Sequence, residues 1–248
     1  MDLQEFFQQN PEVAIAFSGG VDSAYLLYEA CRYAKRVRAY YVQSEFQPQF
    51  ELDDAKRLAE ELHADMQVLQ VSALAVPEVK ANPANRCYYC KQAIFGAIKN
   101  AAEADGFPVL LDGTNASDEE GDRPGMQALR ELSVLSPLRE CGLTKDEIRR
   151  RSKDAGLFTW DKPAYACLAT RIPAGEELTQ EKLTATEKAE MYLFSQGFRD
   201  LRVRSANGHA RIQIPKEQTG RLMEKRDEIL AELKQYYRTV SLDLEVRE

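Results

Sequence analysis

The chain has 248 residues, 44% of them hydrophobic and 29% charged, with a formal net charge of −7. That length buries a substantial core in one large domain or two smaller ones, and the acidic balance argues against a protein that coats nucleic acid, which needs a dense cationic face. No apolar run is long enough to span a bilayer, the start Met1-Asp2-Leu3-Gln4-Glu5 is unlike a secretion signal, and five irregularly spaced cysteines make no disulfide framework, so the cytoplasm is the expected compartment. Two histidines, His63 and His209, leave little scope for a His-based triad or a His-rich zinc site.

The apolar run Val13–Phe17, then Ser18-Gly19-Gly20-Val21-Asp22-Ser23, then Ala24–Ala30 reads as strand, tight loop and helix. Adjacent glycines let backbone amides approach a ligand, and the following helix aims its positive end and unpaired amides at the same place. Such a loop cradles phosphate oxygens. It lacks the Lys that a Walker loop places before its Ser or Thr and carries Asp22 instead, which sits beside an anion only with Mg²⁺ between them. The pattern resembles the PP-loop ATP pyrophosphatases, whose Ser-Gly-Gly-x-Asp-Ser loop grips the departing pyrophosphate. A plain glycine turn with Asp22 as N-cap is the bland alternative.

Residues 36–42 and 66–71 read as strands around a helix over 50–63. That rhythm gives a parallel sheet whose ligands bind outside the carboxyl ends of its strands. After an irregular stretch, Pro77 to Asn85, comes Arg86-Cys87-Tyr88-Tyr89-Cys90-Lys91. This Cys-x-x-Cys pair is weighed as a metal site, a redox pair or the opening of a helix over 91–105. A full zinc or iron–sulfur site needs more ligands, with Cys167 the best third, and the structural reading ranks slightly higher.

A strand over 109–112 leads into a loop, residues 113–125, where Gly113 permits close backbone approach, Asn115 follows, and Asp118 heads a cluster of acids with Glu119, Glu120 and Asp122. Carboxylates beside a phosphate loop suit Mg²⁺ or a ribose, and Asp118 is the one selected. A last short strand is expected over 133–138. Thr144-Lys145-Asp146-Glu147 is a capping box opening a helix to Lys153.

The segment Trp160–Pro173 holds the single Trp and a Cys between small residues, Ala166-Cys167-Leu168. Lys162 and Arg171 nearby would favour its thiolate. An inert small hydrophobe is the competing reading. Beyond Gly175 come a helix over 179–196, strands over 201–204 and 210–214 joined at Ala206-Asn207-Gly208-His209, a helix over 216–236 and a strand over 239–246. Arg202 and Arg204, two apart on a strand, share one face and together suit a phosphate or carboxylate; a basic edge strand that discourages aggregation is the rival.

With these segments assembled, the chain resembles the ATP-dependent sacrificial sulfur transferases of the LarE type, which make the nickel-pincer cofactor of lactate racemase. The likeness rests on residues 14–23, Arg86–Lys91, Asp112–Asn115, Arg123-Pro124-Gly125, Cys167–Arg171 and Leu201–Arg204. It implies an α/β, Rossmann-like PP-loop domain of the adenine nucleotide alpha-hydrolase kind over residues 1–156, a linking loop with Cys167 over 157–176, and a small α+β domain over 177–248. It implies ATP and Mg²⁺, with Ser18, Gly19, Gly20, Asp22, Ser23, Gly113 and Asn115 around the nucleotide and Asp22 and Asp118 on the metal. Arg171, Arg202 and Arg204 would hold the phosphate of a mononucleotide substrate, Cys167 would donate sulfur, and Glu190 is the choice for the base. The family tends to form homo-oligomers. Related proteins carry a 4Fe–4S cluster on three cysteines, here Cys87, Cys90 and Cys167, which ranks below sacrifice of Cys167. Alternative activities are a PP-loop tRNA thiolase, an amide-forming synthetase, or a nucleotide-binding regulator without turnover.

Overall fold

A four-stranded parallel sheet in the order β3-β2-β1-β4 carries the candidate site. The computed structural model describes residues 1–118 and 124–245; the expected acids Glu119, Glu120 and Asp122, with Arg123 and Val246, lie outside the described residues. The chain divides into two units, residues 1–76 with 85–165, and residues 77–84 with 166–248.

In the first unit, α1 (Leu3–Gln9) is followed by β1 (Glu12–Ala16), α2 (Val21–Tyr33), β2 (Arg36–Gln43), α3 (Gln49–Glu61) and β3 (Met66–Gln70). The short α4 (Pro77–Lys80) belongs to the second unit. The first resumes with α5 (Arg86–Ala104), β4 (Val109–Leu111), α6 (Pro124–Glu131), α7 (Pro137–Glu140) and α8 (Lys145–Asp154). Val13, Ala14 and Ile15 are closed to solvent. Continuous burial on both faces is what a parallel sheet covered on either side requires. One face packs Ile15, Leu26, Leu27, Tyr41 and Leu111 with α1 and α8 residues such as Phe7 and Ile148; the other packs Ala14, Tyr40, Ile98 and Leu110.

The chain steps outward from β1 to β2 to β3 and then returns to the far side of β1 as β4. The loops after β1 and β4 therefore leave adjacent strands in opposite directions, the switch point where open α/β sheets bind ligands.

The strand expected over 133–138 is a single parallel bridge, Leu111 to Leu135. Ser133 sits at a left-handed φ of 56°, and Pro137, without an N–H, opens α7; both stop the ladder from extending. The helix expected from Lys91 begins at Arg86, so both cysteines of the Cys-x-x-Cys pair lie inside α5.

The second unit comprises α9 (Gln180–Ser195), β5 (Arg202–Ala206), β6 (His209–Gln213), α10 (Thr219–Glu224), α11 (Arg226–Leu233) and β7 (Thr239–Leu242). β5 and β6 form the expected hairpin. Asn207 and Gly208, at φ 49° and 77°, adopt the left-handed pair that a tight hairpin turn demands. β7 adds in parallel to β6 over Thr239–Leu242. Past its end the Asp243 amide still donates to the Ile212 carbonyl at 2.8 Å and its side chain accepts from Gln213 at 2.7 Å, while the expected end at Val246 lies outside the described residues. The single helix expected over 216–236 is broken at Lys225, which lets Leu222 on one piece and Ile229 and Leu233 on the other reach the same core beneath Val203 and Ile212.

Candidate active site

The loop after β1 is shaped by its own short bonds. Gly19 takes φ +71°, and a Cβ there would press on Ala55 Cβ at 3.2 Å and the Glu51 carbonyl oxygen at 3.3 Å, so only glycine fits between loop and α3. Ser18 Oγ and Ser23 Oγ lie 3.0 Å apart, and Ser23 Oγ donates to the Gly20 carbonyl at 3.1 Å. Gly20 is the N-cap of α2 and supplies no side-chain cap, so it leaves the first amides of α2 uncapped. Such unpaired amides at a helix start can receive an anion.

The loop after β4 closes on the first one. A Cβ at Gly113 would stand 2.9 Å from the Ser23 backbone nitrogen, and backbone cannot move aside as a flexible side chain does. Asp112 is buried and accepts from Thr114 Oγ1 and, at 2.6 Å, from Ser136 Oγ. Asn115, also buried, spends its Oδ1 on the Ser117 amide at 2.8 Å. Asp118 accepts the Asn115 amide at 2.9 Å, and Arg139 donates to the Asp118 carbonyl at 2.6 Å. Both residues thus build the turn that follows Gly113.

Asp22 stands on the first turn of α2. Its Oδ2 accepts from Lys145 Nζ at 2.6 Å, while its Oδ1 is buried with no hydrogen-bond partner among the described residues. Burial pushes the carboxyl pKa up, and the charge of Asp118 adds to that; Lys145, and more weakly Arg149, pull the other way without reversing it. A half-satisfied carboxylate beside amides aimed at an anion fits Mg²⁺. That ion takes one or two carboxylates and completes its shell with phosphate oxygens and water. Asp22 would hold it, with Asp118 close enough to be felt electrostatically.

Sequence reasoning missed two lysines here. Lys145, read only as part of a capping box, reaches back to the loop. Lys162, expected to act on Cys167, donates to Asp54 at 2.7 Å and to the Gly19 carbonyl at 3.4 Å. Neither could be found from spacing, because the partners are 123 and 143 residues away.

In the second unit, Cys167 is half-buried and is the N-cap of a 3-10 turn, Leu168–Arg171. Thr170 donates to the Cys167 carbonyl through both N and Oγ1, at 2.9 and 2.8 Å. Arg171 has a closed side chain: Nη1 donates to the Ala166 carbonyl and to Thr170 Oγ1, both at 2.9 Å, and Nε and Nη2 donate to Glu190 at 2.8 and 3.1 Å. Glu190 also accepts the Val203 amide at 2.8 Å. These two residues, expected as a phosphate holder and a base, form a buried pair that fixes the chain on either side of Cys167.

Arg202 and Arg204 share the half-buried face of β5. Arg204 stands opposite Arg211 in the β5–β6 register, a like-charge placement that costs stability unless an anion or acid relieves it. Asp243 does so in part, 3.2 Å from Arg211. Arg204 donates to the Thr170 carbonyl at 2.7 Å and to Gln213 at 2.8 Å. A cavity of about 530 Å³ opens here, lined by Arg171, Arg204, His209, Arg211 and Ser241 among others.

Comparison with known proteins places the chain in a family. A family model described as asparagine synthase matches residues 5–119. The uncharacterized protein slr1717 of Synechocystis is 38% identical, covering 98% of this chain and 92% of its own length. The pyridinium-3,5-bisthiocarboxylic acid mononucleotide synthase of Lactiplantibacillus plantarum is 34% identical over 94% of this chain and 85% of its own. The uncharacterized protein MJ0830 of Methanocaldococcus jannaschii is 26% identical over 99% and 94%. Sheet, loop and matches together define an ATP-using enzyme class with adenylation-type chemistry, and the chain belongs to the PP-loop ATP pyrophosphatase superfamily. Within it, relatives similar over nearly the whole chain include the Synechocystis and L. plantarum proteins. No helix among the described residues is long and apolar enough to cross a membrane.

Proposed function

We propose that this chain is an ATP-dependent sulfur transferase that converts the carboxylates of pyridinium-3,5-biscarboxylic acid mononucleotide to thiocarboxylates in nickel-pincer cofactor synthesis, with Cys167 as the sulfur source. The observation that carries the reading is the near full-length likeness to the L. plantarum synthase; the anchored cysteine turn supports it.

A carboxylate is a poor electrophile, so the first step is its adenylation: an acceptor oxygen attacks the α-phosphorus of ATP and pyrophosphate leaves. Mg²⁺, when bound, neutralises charge on the phosphates. The Gly20–Ser23 amides and the α2 N-terminus receive the departing pyrophosphate, and Asp22 would hold the metal. The Cys167 thiolate then attacks the acyl carbon, and the bond to AMP breaks. Removal of the Cys167 α-proton drives the Cβ–S electron pair onto sulfur, which leaves with the acceptor as a thiocarboxylate. Dehydroalanine remains at 167, and each chain transfers one sulfur. Arg202 and Arg204, with Arg211, hold the mononucleotide phosphate. Arg171 and Glu190 position the turn that carries Cys167. Self-association of the chain is part of this reading.

A second reading keeps the acceptor and draws sulfide from an iron–sulfur cluster on Cys87, Cys90 and Cys167. One observation favours it: Cys87 and Cys90 stand three apart inside α5, hence on one helix face. Intact-mass spectrometry after incubation with ATP, Mg²⁺ and the biscarboxylate mononucleotide tests the proposal. Loss of one H₂S per chain, mapped to Cys167, is expected; product formed at unchanged protein mass transfers the assignment to the cluster.

A further inference from the structure

The loop after β1 has no lysine in its own sequence, yet a lysine stands on it. Lys145 is the first residue of α8. Its backbone amide donates to Ser117 Oγ at 2.9 Å, and the Thr144 side chain caps the same helix by accepting the Glu147 amide. The base of the side chain is therefore fixed between α8 and the loop after β4. From there Nζ reaches 2.6 Å from Asp22 Oδ2, leaving Oδ1 buried without a partner among the described residues. The ammonium occupies the carboxylate oxygen next to the anion cradle, beside the place where a divalent ion would sit.

We infer that Lys145 is the cradle's own cation, holding Asp22 when no metal nucleotide is bound and moving onto the outer phosphate oxygens, those that become pyrophosphate, when Mg²⁺ and ATP enter. It thereby does from a distant helix what a Walker loop does with a lysine in its own sequence. The chemistry is that of a compact, flexible point charge with three donors, long enough to exchange one anion for another while its backbone stays tied. Competition follows directly. Lys145 and a divalent cation both neutralise Asp22, so removing the lysine should favour the metal in the nucleotide-free protein. It should also weaken the grip on pyrophosphate, while AMP, which lacks the outer phosphates, is unaffected.

The inference rests on the ATP-dependent activation proposed above but not on the acceptor or on Cys167, so its test uses neither. Lys145→Gln and Lys145→Arg are compared with the natural chain by Mn²⁺ titration followed by electron paramagnetic resonance, and by calorimetric titration of pyrophosphate with Mg²⁺ and of AMP alone. For Lys145→Gln, Mn²⁺ binds more tightly without nucleotide, and pyrophosphate binds about tenfold or more weakly, the size of one charge-assisted hydrogen bond; AMP affinity is unchanged. Lys145→Arg retains most of the pyrophosphate affinity. Equal weakening of AMP and pyrophosphate, or unaltered Mn²⁺ binding, would overturn the inference by reducing Lys145 to a structural tie. Should these binding results hold while the biscarboxylate mononucleotide elicits no pyrophosphate release, the acceptor is wrong and Lys145 stands.

Discussion

Arg171 and Glu190 form a bidentate ion pair, Nε to Oε1 at 2.8 Å and Nη2 to Oε2 at 3.1 Å, with side chains 0% and 1% exposed. Glu190 is tied at the same time to β5 through the Val203 amide, and Arg171 to the carbonyl that precedes Cys167. The pair thus links α9, β5 and the cysteine turn. Removing one partner leaves the other charge buried, which costs about 3–5 kcal/mol. Glu190→Ala is expected to lose that much in urea unfolding. Replacing both residues with apolar ones of similar volume should recover much of the loss. A cost below about 1 kcal/mol, the range of exposed pairs, would mean that the pair does not organise this turn.

Gly113→Ala tests the closure of the two loops. The new Cβ would meet the Ser23 backbone nitrogen at 2.9 Å, and nothing there yields without shifting α2. Overpacking of this kind costs about 1–3 kcal/mol, and the displaced amides belong to the cradle. ATP affinity should fall in calorimetric titration, together with a lowered melting temperature. Gly156→Ala is the control. It also sits at positive φ, 72°, but a Cβ there meets nothing within 4 Å. It should cost stability and leave ATP binding alone.

The parallel sheet and its loop were legible because local signals agree with tertiary structure there: apolar runs of strand length, two glycines, then a helical period. The Ser133–Leu138 stretch misled because its composition is strand-like while Ser133 and Pro137 permit only one bridge. The expected start of α5 at Lys91 falls five residues late for want of a cap signal; Asn85 precedes the helix but makes no side-chain cap bond. Thr144 caps α8 as read, but Glu147 turns to Arg150 and Arg151 instead of completing the box. The site was half-legible. Spacing exposes Gly19 and Asp22, whereas Lys145 and the Arg204–Arg211 opposition depend on contacts that only the folded chain creates.

Buried tyrosines set the alkaline limit of the first unit. Burial pushes the Tyr25 phenol up to about 12 and does the same for Tyr40, whose hydroxyl also donates to Asp105 at 2.6 Å. An unfolded tyrosine ionises near 10. Between about pH 10 and 12 the unfolded chain therefore releases protons that the folded chain keeps, and stability falls as pH rises. Urea midpoints measured across that window should decline, and the decline should be shallower in Tyr25→Phe, which cannot ionise. An identical slope in that variant would show that Tyr25 ionises alike in both states.

The arginine cavity of the second unit makes a claim about which part of the acceptor it reads. Arg211 is exposed on β6 and lies opposite Arg204, and both line the cavity of about 530 Å³. If the pair holds the mononucleotide phosphate, Arg211→Gln should raise the acceptor KM in pyrophosphate-release assays about tenfold, the loss expected for one charge-assisted hydrogen bond. The KM for ATP should not move. Arg204→Gln should do more, because Arg204 also ties down the Thr170 carbonyl. The acceptor without its phosphate, the corresponding riboside, supplies the decisive comparison: with the phosphate gone, natural chain and Arg211→Gln should process it with equal KM. That cycle isolates the arginine–phosphate interaction from any general disturbance of the strand. A riboside KM that rises as much in the variant as the nucleotide KM does would place the phosphate elsewhere.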